Sequence, residues 1–123
     1  MGEHVVVLGA SDNPARFAYR AISLLTQFGH IALPVSPHCT EVQGTRCARA
    51  LTDIATNVDT ITVYLRPELA EPLGEAMIGL RPRRIIFNPG TESVPLKQQL
   101  EAAGIRVQWE CTLILLRSGA YLQ

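Results

Sequence analysis

The sequence predicts an α/β protein in which a mostly parallel, five-stranded sheet is covered by helices on both faces. Three observations carry that expectation. Short runs rich in β-branched residues alternate along the chain with stretches of helical spacing, joined by short connections. The first run, Val5-Val6-Val7-Leu8, is apolar at every position, as suits a central parallel strand buried from both sides. The segments after the strands are mostly small, polar or Pro/Gly-containing, as a ligand edge of a parallel sheet should be.

Taken in order, residues 4–8 form the first strand and Gly9 starts a tight turn. Ala18, Ala21, Ile22, Leu25 and Phe28 then recur at helical spacing, so residues 15–28 are expected as an amphipathic helix ended by Gly29. Residues 31–35 give a second strand, which Pro34 keeps from a fully paired central place. Residues 39–46 are polar and aperiodic and are expected as a loop, and 48–54 as one short helix. A third strand is expected at 60–65. Pro67 can open a helix whose stripe is Leu69, Leu73, Ala76, Met77 and Leu80. Residues 84–88 form the fourth strand, and Thr91 is a candidate cap for a helix carrying Leu96, Leu100 and Ala103 and ended by Gly104. Residues 105–109 form the fifth strand, and 112–116 a last short helix.

The bulk properties exclude several functions. At 123 residues the chain is expected as one domain, 1–123, with a single sheet. Eleven basic side chains balance eleven acidic ones, so no broad positive field exists for nucleic acid or an acidic membrane. The apolar runs are too short to span a bilayer, and Glu3 and His4 precede the first of them, so neither a membrane span nor a signal peptide is expected. A cytoplasmic location follows as the expectation. Cys39, Cys47 and Cys111 are odd in number and lack C-x-x-C spacing, which fits reduced thiols.

Residues 9–13 are the candidate phosphate site, because a small-residue turn entering a helix presents free N–H groups and the positive end of the helix dipole. An ordinary strand-to-helix turn without ligand is the competing reading. The dinucleotide pattern fails: Gly9 is followed by Ala10-Ser11 rather than further glycines in register, and Val35-Ser36-Pro37 stands where a ribose-binding acid would be. No P-loop lysine is present. A flavodoxin-like site fits the topology, but aromatic residues to sandwich a flavin are few.

Four motifs in this order resemble the small stand-alone CoA-binding domains, relatives of the domain at the front of the succinyl-CoA synthetase α subunit. They are Val7-Leu8-Gly9-Ala10-Ser11-Asp12 with Arg16 and Tyr19 behind it; Pro34-Val35-Ser36-Pro37; Arg66-Pro67-Glu68; and Asn88-Pro89-Gly90-Thr91-Glu92. The resemblance covers nearly the whole chain. It implies a Rossmann-like fold that holds CoA or an acyl-CoA without a catalytic apparatus. By position, Gly9, Ala10 and Ser11 would offer donors to the CoA phosphates and Arg16 would add charge. Ser36, Pro37 and His38 would lie by the adenosine, with His38 where relatives often place a lysine; a neutral imidazole offers the 3′-phosphate less charge. Leu65, Arg66 and Pro67 would flank the ligand. Gly90 and Thr91 would face the pantetheine or pyrophosphate, with the Glu92 carboxylate turned away.

Each of these residues also has a plain structural reading. Arg16 can be a solvated helix residue, Tyr19 and Tyr64 can pack at the sheet edge, His38 can be a loop histidine, and Cys111, whose place near the ligand edge also suits a thiol that exchanges with CoA, is expected as a small buried side chain. His4 and His30 fall at strand starts, away from the site. No metal-ligand cluster, paired carboxylates or nucleophile with a base stands out, which argues against catalysis. Two other classes stay open: a nicotinamide- or flavin-dependent oxidoreductase, and an interaction subunit that covers Leu113 to Leu116 and Tyr121-Leu122 with a partner. A homodimer would also fit.

Overall fold

The computed structural model describes residues 2–122. The chain begins with β1 (His4–Leu8), crosses through α1 (Phe17–Gln27) and returns as β2 (Ile31–Val35), parallel to β1. Helix α1 starts later than its periodicity predicts, because residues 12–16 fold into turns held by the Asn13 side chain and carbonyl. Gly29 takes φ +87° and lets the His30 N–H reach the Leu25 carbonyl, which closes the helix as expected.

The interval expected as a loop instead holds a small hairpin, β3 (Glu41–Val42) against β4 (Thr45–Arg46). Gln43 and Gly44 both take positive φ, 50° and 82°, the geometry of a tight hairpin turn, and Val42 is buried beneath it. A single 3₁₀ turn, Leu51–Asp53, stands where a short helix was predicted. After β5 (Thr60–Val63), the helix predicted over 67–80 is broken into α2 (Pro67–Ala70), a 3₁₀ turn and α3 (Gly74–Gly79). Pro72 sits at the break, where it lacks an N–H for the helix ladder and its ring crowds the preceding turn.

Next come β6 (Arg84–Phe87), α4 (Val94–Ala102), β7 (Arg106–Trp109) and α5 (Thr112–Ser118). Ser93, not Thr91, caps α4: its Oγ accepts the Leu96 N–H at 3.2 Å. The Thr91 hydroxyl donates back to the Asn88 carbonyl at 2.8 Å instead, and so tightens the turn after β6.

The five long strands form one parallel sheet in the order β2-β1-β5-β6-β7. Pro34 therefore lies on an edge strand. Alternate residues of β1 feed two separate cores. Val5 and Val7 pack with Ala21, Ile22 and Leu25 of α1 and Leu113 and Leu116 of α5. Val6 and Leu8 pack with Met77 of α3 and Leu96 and Leu100 of α4. This is a Rossmann-like three-layer fold, and the order reverses between β1 and β5, so a crevice opens beyond their carboxyl ends. No helix among the described residues is long and apolar enough to cross a membrane.

Candidate ligand groove

A groove of about 540 Å³ fills that crevice. Gly9, Ala10 and Ser11 from the turn after β1 form its floor, and Ala15, Arg16, Phe17 and Ala18 from the start of α1 form one wall. Ser36 and His38 close it beyond β2, and Tyr64, Leu65, Pro89 and Thr91 beyond β5 and β6. Of the residues the sequence put forward, Tyr19, Pro37, Arg66, Pro67 and Gly90 do not line it. Arg66 and Pro67 begin α2, and the Tyr19 carbonyl accepts from Gln43 Nε2.

Of the three residues expected to donate to a phosphate, only Ser11 keeps an unengaged N–H among the described residues. The N–H groups of Gly9 and Ala10 both donate to the Val35 carbonyl, at 3.0 and 3.1 Å, so they hold β1 to β2 and are not free for an anion. Gly9 contributes space and shape instead. It takes φ +89°, and a Cβ there would sit 3.0 Å from Leu65 Cδ2 and 3.1 Å from the Tyr64 carbonyl carbon. The Gly90 N–H is likewise engaged, by the Glu92 carboxylate at 2.9 Å, which turns that acid back onto its own loop.

The other unused donors lie one step further along. Helix α1 has no side-chain cap, and the N–H groups of Phe17, Ala18 and Tyr19 make no hydrogen bond among the described residues. With the positive end of the helix dipole they make an anion site on the groove wall. Arg16 stands beside them, exposed, and forms no ion pair among the described residues. At the other end His38 is exposed, and Ser36 is buried with its Oγ accepting the His38 N–H at 3.1 Å.

Ala15, Phe17, Ala18, Tyr64 and Pro89 are groove residues that sequence reasoning did not select. Phe17 falls on the same helical stripe as Ala21 and Phe28, so periodicity alone cannot separate it from the core. In the structure it is 63% exposed, on the first turn, where it overhangs the groove rather than the sheet.

Behind Phe17 the groove continues into a smaller recess of about 140 Å³, bounded by Tyr64, Asn88, Pro89, Cys111 and Leu113. Asn88 builds its back. Its amide nitrogen donates to Thr62 Oγ1 (2.7 Å) and the Val63 carbonyl (2.9 Å), while its Oδ1 accepts the Thr112 N–H at the start of α5 (2.9 Å). The Tyr64 hydroxyl is buried without a hydrogen-bond partner, and that burial raises its pKa, so it stays neutral.

The cysteines are unbridged. Cys39 and Cys47 nevertheless meet across the base of the hairpin with their sulfurs 2.7 Å apart, and burial together with Cys39 pushes the Cys47 thiol up to about 12. The apolar segment offered as a partner surface is largely consumed inside: Leu113, Leu115, Leu116 and Tyr121 are buried, and only Ile114 and Leu122 are exposed.

A parallel α/β sheet with an open groove at its reversal point is the architecture in which Rossmann-like proteins place their ligand sites. The model of the CoA binding domain matches residues 3–117, so the chain belongs to the CoA-binding domain family. It is similar to an uncharacterized protein of known crystal structure, at 33% identity and a TM-score of 0.93, with 98% of each chain covered. A cell-free-derived protein from Thermus thermophilus is 26% identical with a TM-score of 0.90, covering 97% of this chain and 90% of its own. A dinucleotide-forming acetyl-coenzyme A synthetase from Ca. Korarchaeum cryptofilum, solved with phosphate and ADP, aligns with 88% of this chain and 25% of its own. At 17% identity and a TM-score of 0.76 that likeness is one of fold.

Proposed function

We propose that this protein binds coenzyme A, free or acylated, as a module that holds the ligand without transforming it. The observation that carries the reading is the set of donors where the groove meets α1, the N–H groups of Phe17, Ala18 and Tyr19 beside Arg16, none of which has a partner among the described residues. In a member of the CoA-binding domain family, that is where a pyrophosphate would find its countercharge. Ser36 and His38 would border the adenosine, and Leu65, Pro89 and Thr91 the pantetheine arm. The hydroxyls of Ser11 and Ser36 accept loop N–H groups from Asn13 and His38, a loop-ordering role rather than that of an activated nucleophile. A cytoplasmic setting, where thiols stay reduced, fits the three unbridged cysteines.

The test is calorimetric titration of ligand-stripped, reduced protein with CoA, dephospho-CoA, NAD and FMN in parallel. CoA should bind saturably while NAD and FMN give no signal. Dephospho-CoA should lose little, because His38 is a weak substitute for a fixed positive charge at the 3′-phosphate. Preference for NAD or FMN would replace this reading with a cofactor-dependent enzyme, and silence from all four ligands would leave an interaction subunit.

A further inference from the structure

We infer that the recess behind Phe17 selects the acyl group of a short, uncharged acyl-CoA. The inference rests on the CoA reading above and specifies which form of the ligand the site takes. The strand order sets the path. With the adenosine beyond β2 and the phosphates at the start of α1, the rest of the molecule must run across the ends of β5 and β6 toward β7, strand by strand at roughly 4.8 Å each. The recess lies at the end of that path, between Pro89 after β6 and Cys111 after β7. It shares Phe17, Tyr64 and Pro89 with the groove, so the two spaces are continuous.

Its chemistry is selective. Phe17, Pro89, Leu113 and the ring of Tyr64 present hydrocarbon, the amide of Asn88 is already engaged by Thr62, Val63 and Thr112, and the Tyr64 hydroxyl is neutral. Among the described residues no guanidinium or ammonium group lines it. A terminal carboxylate, as in a dicarboxylic acyl group, would be desolvated there with no cation to pair with, and one neutral hydroxyl does not offset that cost. An apolar cavity of about 150 Å³ accepts a molecule the size of benzene, so a recess of 140 Å³ fits an acyl group of about four to six carbons. Phe17, left 63% exposed on the rim, would be covered by such a group.

Titration of the reduced protein with CoA and with butyryl-, isobutyryl-, succinyl- and decanoyl-CoA tests this. Butyryl- and isobutyryl-CoA should bind at least about ten-fold tighter than CoA, since each buried methylene contributes roughly a factor of four and burial of two of the three carbons beyond the carbonyl already exceeds that. Succinyl-CoA should bind no tighter than CoA, and decanoyl-CoA no tighter than butyryl-CoA. Cys111→Phe, which fills the recess from a residue outside the groove, should remove the butyryl advantage and leave CoA affinity as it was. Circular dichroism checks its folding, and Cys111→Leu makes the same test with a smaller side chain. Equal affinities for CoA and butyryl-CoA, tighter binding of succinyl-CoA, or a butyryl advantage that survives filling would each overturn the inference while leaving the CoA reading intact. Failure of every CoA species to bind would overturn both.

Discussion

The two ends of the sheet treat their polar groups in opposite ways. At the carboxyl ends, the N–H groups at the start of α1 and the Arg16 guanidinium have no partner among the described residues. At the amino ends, a recess of about 380 Å³ is lined by Glu3, Arg83, Arg84, Arg106 and Leu122, and there Glu3 pairs with both Arg83 and Arg84, while Arg106 has no ion-pair partner among the described residues. Glu3 accepts from the Thr60 hydroxyl at 2.8 Å and from Arg83 at 3.1 Å, and lies 3.5 Å from Arg84. Arg84, itself buried, also donates to Thr60 and Gln108 and stacks its guanidinium 4.3 Å from the Tyr121 ring. One end is held together by its charges, and the other leaves donors for something outside the chain. A large recess is therefore weaker evidence for a ligand than unengaged donors are.

The sharpest way to break this comparison is to remove Glu3. Glu3→Ala leaves Arg84 buried without its carboxylate, and losing one partner of such a pair costs about 3–5 kcal/mol. Urea denaturation should show that loss, with CoA affinity unchanged within about two-fold in protein that is still folded. A variant that lost CoA binding in proportion to its stability would mean the two ends are not separable.

The converse change is Arg16→Ala. Arg16 is exposed and packs against nothing that stability requires, so the denaturation midpoint should stay within about 0.5 kcal/mol of the parent. CoA affinity should fall about ten-fold, and its dependence on salt should flatten, because one charge contact to the phosphates is lost. Unchanged affinity and salt dependence would place Arg16 among the solvated helix residues.

How much of this was legible beforehand follows from where the information sits. Strands β1, β5 and β6 are short runs rich in β-branched residues, and Gly29 and Gly104 mark helix ends, so the three-layer fold is legible in local pattern. The hairpin at 41–46 is not, because two-residue strands carry no periodicity and depend on the backbone of Gln43 and Gly44. The break at Pro72 was visible as a residue, but the apolar stripe running through it outweighed it. In the groove the turn is legible, but two of its three expected donors, the Gly9 and Ala10 N–H groups, are engaged elsewhere. The Val35 carbonyl that takes the Gly9 and Ala10 N–H groups arrives from a strand remote in sequence, and no local pattern announces it. Phe17 and Tyr64 were missed for a related reason: an aromatic on an apolar stripe or at a strand end reads as core until the neighbouring layer shows which side is open.

The smallest effect expected separates the two ends by pH. His30, at the amino end, accepts the Glu3 N–H on Nδ1 at 2.9 Å and packs against Tyr121, and burial lowers its pKa below the ordinary 6.5. Above that value the imidazole is neutral in both folded and unfolded chains and favours neither. As pH falls through 6.5 the unfolded chain takes up a proton that the folded chain resists, because protonation would desolvate a charge and break the bond to Glu3. Stability is therefore retained at higher pH and lost toward acid, by up to about 1.4 kcal/mol for each pH unit between the two pKa values. Denaturation should show lower stability at pH 5.5 than at pH 7.5, a difference that His30→Gln flattens, since the amide keeps an acceptor and does not titrate. A loss that persists unchanged in that variant would assign the acid sensitivity to other groups, and the amino end would no longer be distinguished by its histidine.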